Sequence, residues 1–209
     1  MTDPALVKKP LKDRAEDFDR RTEQYLSLGH DRFEAARFVA GCAGELGSPA
    51  LDVGTGKGLL AMALASNGLE VVSIDISEED SELAGFLAAE RSLAGRIEFA
   101  IRDASSLPYE SGKFKAVAMM EVLHHLDNAE GVLSEMTRVL SPNGKLIIAD
   151  FNEEGFGMVA KVHRSEGKEH PRSKCTIDSA ASFLCSLGLK EEGRAEAHNN
   201  AAVWFSKTP

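Results

Sequence analysis

Apolar residues recur along this chain with two different periods. Between residues 13 and 45 they return every three to four positions. Phe18, Tyr25 and Leu28 form one series and Phe33, Ala36, Phe38 and Val39 the next. That spacing predicts helix, and Gly29 divides it in two. Beyond this region the pattern changes to short continuous runs: "PALDV" at 49–53, "EVVSI" at 70–74, "IEFAI" at 97–101, "KAVAMM" at 115–120 and "KLIIADF" at 145–151. Runs of this length, rich in β-branched residues, predict buried strands.

The segments between the runs read as helices. "KGLLAMALASNG" stops at Asn67-Gly68. Ser77 opens a capping-box-like start, with Asp80 in the usual glutamate position, and the helix is expected to run to about Ala94. Val132, Leu133, Met136, Val139 and Leu140 share one helical face. "SPNG" at 141–144 places proline and glycine as a tight turn wants them. Residues 152–175 are polar and weakly periodic and read as a solvated loop or lid. A helix at 178–187 follows with Asp178 as its N-cap, then strands near 189–197 and 201–206.

Strands that alternate with helices predict a parallel sheet covered on both faces. Ligands of such sheets bind beyond the carboxyl ends of the strands, where the strand order reverses. Chemistry is therefore expected in the loops at 52–58, 75–77, 102–108, 121–127 and 150–170. The 209 residues suit one compact unit at 46–209 preceded by a helical cap at 1–45.

Composition narrows the partners. A net charge of −9 argues against general binding to nucleic acid, which leaves a basic footprint. Lys161, Arg164, Lys168, Arg172 and Lys174 are interleaved with Glu166, Glu169 and two histidines, as on a solvated helix face. No apolar run approaches the roughly 18 residues of a membrane helix, and the N-terminus is too charged for a signal peptide. Cys42, Cys175 and Cys185 have neither metal nor redox spacing. The expectation is a cytoplasmic monomer or homodimer with no membrane, nucleic-acid or metal partner.

The candidate chemistry starts at "LDVGTGKG", with Gly54, Gly56 and Gly58 two apart, Asp52 before them and Asp75 one helix and one strand later. Glycines after a buried strand let the backbone approach a ligand, and the next helix presents free N–H groups to it. Asp75 stands open between an acid that accepts ribose hydroxyls and a cap on the following helix. The dinucleotide fingerprint G-x-G-x-x-G would need glycine where Leu59 stands, and a P-loop would need a hydroxyl after Lys57.

"LDVGTGKG" instead resembles motif I of the class I methyltransferases that use S-adenosylmethionine. "VVSIDIS" and "RDASSLPYESGKFKAV" are similar to the family's segments at the second and third strands. "EVLHHLDNAEGVLSEMTRVLSPNGKLIIADF" resembles the small-molecule branch that includes the ubiquinone and menaquinone C-methyltransferases. The resemblance covers roughly residues 45–206. It implies an α/β, Rossmann-like doubly wound sheet of about seven strands, mostly parallel with an antiparallel last strand. It also implies S-adenosyl-L-methionine as cofactor, S-adenosyl-L-homocysteine as product and a small-molecule acceptor. Carried over, the cofactor-binding positions are Asp52, Gly54, Thr55, Gly56, Gly58, Asp75, Ile76, Asp103, Ala104 and Glu121. On this reading Asp52 faces the positive methionine end of the cofactor, directly or through water, and Asp103 meets the adenine amino group. "DASS" also reads as a capped turn.

If the acceptor carries a proton, a base is required. His124 and His125 are the first candidates, since imidazole titrates near neutrality, and Glu121 is the second. Tyr25 and Phe18 are either part of a lid over the cofactor or core aromatics. His163, Glu166 and His170 fall at i, i+3 and i+7, although Gly167 weakens any helix there. The alternatives kept open are an NAD-dependent oxidoreductase and a non-catalytic binder of the same cofactor.

Overall fold

Successive residues of a strand point to opposite faces, and here the two faces meet different helices. The computed structural model describes residues 9–165, 167 and 175–208. Among these, seven strands form one sheet: β1 (Ala50–Val53), β2 (Val71–Asp75), β3 (Ile97–Ile101), β4 (Phe114–Met120), β5 (Leu140–Phe151), β6 (Leu189–Ala197) and β7 (Asn200–Lys207). Their order is β3-β2-β1-β4-β5-β7-β6. The pairings from β3 through β5 are parallel, and β7 runs antiparallel to both β5 and β6.

Ala116, Ala118 and Met120 of β4, with Ile147 and Ala149 of β5, belong to one apolar cluster. Facing them are α1 (Leu11–Ser27), α2 (Arg32–Gly41), α3 (Leu59–Ser66) and α4 (Glu78–Glu90). Val117, Met119, Leu146 and Ile148 point the other way, onto α5 (Ala129–Val139) and α7 (Ile177–Ser186). Small residues on the first face let α3, buried from Leu59 through Ala65, lie close to the sheet. α2 adds Ala35, Ala36, Val39 and Ala40 to that same core. No helix among the described residues is long and apolar enough to cross a membrane.

Four local expectations are corrected. "SPNG" is no free turn: residues 141–144 form an irregularity within β5, between Leu140 opposite Phe114 and Lys145 opposite Ala116, with Asn143 at φ 59°. α4 stops at Glu90 rather than near Ala94, because Ser92 turns left-handed at φ 59° and the Leu93 N–H bonds back to the Ala88 carbonyl at 2.9 Å. Thr176, not Asp178, caps α7: its hydroxyl accepts from the Ser179 N–H at 3.2 Å, and the Ser179 hydroxyl oxygen accepts from the Thr176 N–H at 2.9 Å. Asp178 pairs with Arg194 at 2.6 Å instead. Residues 153–165 are not a loop but α6 (Glu153–Ser165). Met158, Val159 and Val162 form the apolar stripe of α6 and pack on Tyr25 and Phe151; two glycines and many polar residues dilute that stripe in the sequence.

Candidate functional site

β1 lies between β2 and β4, so the order of the sheet reverses between β1 and β4. The chain leaves β1 through the three glycines. Gly54 adopts φ 87°, and a Cβ there would stand 2.3 Å from a Val122 methyl in the loop after β4. Only glycine lets the two loops touch. Gly58 adopts φ 77° as the N-cap of α3, and its Cβ would stand 2.9 Å from the Ala84 Cβ of α4. It is a packing glycine and does not line the cavity described next.

Beyond the carboxyl ends of β1, β2, β3 and β4 lies a cavity of about 700 Å³. Of the sequence-derived cofactor positions, Gly54, Thr55, Gly56, Asp75, Ile76, Asp103, Ala104 and Glu121 line it, and His125 joins them. Asp75 accepts from the Gly56 N–H at 2.9 Å through one carboxylate oxygen and from the Ser77 N–H at 2.9 Å through the other. The cap of α4 is Ser77, whose hydroxyl accepts from the Asp80 N–H at 3.1 Å. The Asp80 carboxylate does not return to the cap but contacts Lys57. Ile76 is 78% exposed, an aliphatic surface at the rim between Asp75 and the loop after β3. Asp103 accepts from both the N–H and the hydroxyl of Ser105, at 2.8 and 2.7 Å, and these bonds lower its pKa.

Asp52 does not reach the cavity. It is buried in the sheet, where the Ser73 hydroxyl donates to it at 2.7 Å, and Ser73 is 2.6 Å from the Thr55 hydroxyl. Burial, more than the nearby Asp75 charge, pushes its carboxyl up to about 7. A carboxyl sequestered this way steadies the glycine loop through Ser73 and Thr55 and does not itself face a ligand's charge.

Glu121 follows directly on β4 with φ 58°, a left-handed conformation uncommon outside glycine and typical of strained functional positions. Burial raises its pKa to about 7, against the opposing influence of Asn200 and Arg32. Arg32 opens α2 behind the cap Asp31, whose carboxylate accepts from the Phe33 and Glu34 N–H groups. Its guanidinium lies 5.1 Å from the Phe18 ring centre and 5.3 Å from that of Tyr25, and donates to the Thr22 hydroxyl at 3.2 Å. Phe18 and Tyr25 are thus core aromatics that hold an arginine on the cavity wall, rather than lid residues facing a ligand. Arg32 escaped the sequence reading, which took residues 13–45 only as helical apolar spacing divided at Gly29.

His124 is buried and gripped twice by Asp150. One carboxylate oxygen lies 2.6 Å from its Nδ1, and the other accepts its backbone N–H at 3.0 Å. Its ring opens onto a second cavity of about 620 Å³, bordered by Asp150, Phe151, Phe156 and Thr176. The ring of His125, 4.0 Å away between centroids, stays with the first cavity. Burial first, and the neighbouring His124 next, lower the His125 pKa, which favours the neutral, proton-accepting imidazole. His163 on α6 also acts electrostatically on His125. Glu166 and His170 lie outside the described residues. Among the described residues, no group of three or more His, Cys, Asp or Glu side chains is placed to hold a metal ion.

Comparison with known proteins bears on this arrangement. Residues 51–148 match the family described as "Methyltransferase domain". The chain is 36% identical over 146 residues to a demethylmenaquinone methyltransferase of Clavibacter sepedonicus, covering 68% of this chain and 56% of that protein. It is 34% identical over 143 residues to the 27-O-demethylrifamycin SV methyltransferase of Amycolatopsis mediterranei, covering 60% of this chain and 53% of that one. The chain thus spans little more than half the length of these curated relatives. Among solved structures, an S-adenosylmethionine-dependent methyltransferase of Methanosarcina mazei superposes with a TM-score of 0.62 at 21% identity, covering 76% of this chain and 92% of that one. The [4+2]-cyclase SpnF superposes with a TM-score of 0.68 at 20% identity, covering 84% and 80%. Both share the fold.

Proposed function

Residues 51–148 belong to the methyltransferase-domain family, and on that premise we propose that this chain is an S-adenosylmethionine-dependent methyltransferase acting on a small molecule in the cytoplasm. One observation carries the reading. A single cavity across the sheet's reversal point holds an acid at the end of β2, Asp75, and an opposed charge pair, Glu121 after β4 with Arg32 of α2. The cofactor has a ribose diol near one end and a zwitterionic amino acid at the other, so the chemistry of this lining suits it. Asp75 would hold the ribose hydroxyls, with Ile76, Asp103 and Ala104 at the base. Glu121 would take the ammonium and Arg32 the carboxylate. An uncharged cradle would not distinguish that zwitterion from a pyrophosphate.

The cofactor, when bound, supplies a methyl group on a sulfonium centre, and the reactivity is its own. The chain's part is to orient an acceptor and exclude water. A protonated acceptor would give its proton to His125, which lines the cavity with its imidazole held neutral. Asp150 fixes His124 beside it, which limits how His125 can pack. The acceptor atom is left open among carbon, oxygen, nitrogen and sulfur.

Isothermal titration calorimetry with S-adenosylhomocysteine and with NAD tests this reading. The expected outcome is tighter binding of S-adenosylhomocysteine; preference for NAD would overturn it.

A further inference from the structure

The β6–β7 hairpin reaches beneath the candidate site. Its turn residues, His198 and Asn199, are both left-handed, at φ 49° and φ 62°. The next residue, Asn200, begins β7 opposite Phe151 of β5 and is 0% exposed. Its amide nitrogen donates to the Glu121 carboxylate at 3.0 Å and to the His198 carbonyl at 3.3 Å. Both amide protons therefore meet acceptors, which fixes the orientation of the amide. Flipped, it would set its oxygen against two oxygens. As oriented, its Oδ1 is buried without a hydrogen-bond partner. Leaving a buried acceptor unmatched is unfavourable, so the amide is held where it is by what its nitrogen does.

We propose that Asn200 is a positioning residue for the candidate site: it aims the Glu121 carboxylate into the cavity and favours its ionised form over the protonated one. The inference rests on the reading of Glu121 as the partner of a cofactor ammonium. The groups acting on Glu121 come from four elements. Arg32 on α2, His124 in the turn after β4 and the Asn200 amide on β7 favour its charge, and Asp150 on β5 opposes it. Burial opposes it most strongly. Asn200 is the neutral member of this set, so replacing it removes a directional hydrogen bond without adding or removing a charge. It was invisible in the sequence because it lies 79 residues from Glu121.

The test is calorimetric titration of S-adenosylhomocysteine between pH 5.5 and 8.5. In the wild-type protein, affinity should rise with pH through about 7 as Glu121 ionises. Asn200→Leu should move that midpoint upward by at least half a pH unit. Binding at pH 7 would then be about twofold or more weaker, approaching threefold or more near pH 5.5 and converging on wild type at pH 8.5. Glu121→Gln should flatten the profile. Asn200→Ala, which removes the amide without adding bulk or charge, should move the midpoint the same way and covers the case in which the leucine variant does not fold; circular dichroism establishes folding for each. A folded Asn200→Leu protein with the wild-type midpoint would overturn the proposal. So would a loss of affinity equal at all pH values, because that is what a merely structural asparagine gives. If the wild-type protein binds no S-adenosylhomocysteine, the functional reading fails on its own account. The Asn200 inference is then decided by carboxyl-carbon NMR of Glu121 in the ligand-free protein: an upward shift of its titration in Asn200→Leu supports it, and an unchanged one overturns it.

Discussion

The backbone N–H of Gly56 donates to the Asp75 carboxylate at 2.9 Å, tying the glycine loop after β1 to the end of β2. The acid that would receive the ribose hydroxyls also shapes the loop around them. Asp75→Ala should therefore weaken S-adenosylhomocysteine by about 1–3 kcal/mol, the scale of leaving a polar partner unmatched. Calorimetry reads this directly. An unchanged dissociation constant would mean that Asp75 serves the loop alone.

Gly54→Ala should destabilise the fold by about 1–3 kcal/mol, because it combines a left-handed backbone with a methyl 2.3 Å from Val122. Adding Val122→Ala should recover part of the loss, since the two act on one contact. Denaturant melts of the two single variants and the double variant check this. Strictly additive losses would show that Val122 is not the obstacle.

Asp52→Asn should stabilise the ligand-free protein more at pH 8 than at pH 5. Burial raises the Asp52 carboxyl to about 7 in the folded chain, above the roughly 4 expected when unfolded. The folded state therefore holds this proton more tightly, and the stability it adds at low pH is lost as pH rises through about 7. Asparagine cannot ionise and escapes that loss. Glu121 shifts in the same direction but is present in both proteins, so the difference in Tm isolates Asp52. A difference that does not vary with pH would contradict the assignment.

Arg32→Met should weaken S-adenosylhomocysteine about tenfold or more while leaving adenosine, which lacks the amino-acid end, nearly unaffected. Methionine keeps much of the aliphatic bulk between Phe18 and Tyr25 and removes the charge. Equal losses for the two ligands would assign Arg32 to packing rather than to a carboxylate.

The helices and strands were legible in the sequence wherever the apolar period was strong. The strands were continuous apolar runs and Asn67-Gly68 marked the end of α3. α6 was missed because only Met158, Val159 and Val162 carry its stripe, and their partners Tyr25 and Phe151 come from other elements. The cap of α7 was misplaced by two residues because Asp178 looks as good a cap as Thr176 until Arg194 claims it. Within the site, Gly54, Gly56 and Asp75 were readable because one strand–loop–helix–strand unit contains them all.

The sequence by itself determined this unit and the alternation of strand and helix that makes the sheet parallel, since both rest on neighbours along the chain. Only the tertiary structure decided which charges meet. It buried Asp52 under Ser73, turned His124 from the first cavity toward Asp150, brought Arg32 to the cavity wall and set Asn200 on Glu121. These partners lie on separate elements, 21 to 79 residues apart where hydrogen bonds join them. Burial and pairing, not residue type, set what a carboxyl or imidazole does, and neither exists until the sheet has assembled.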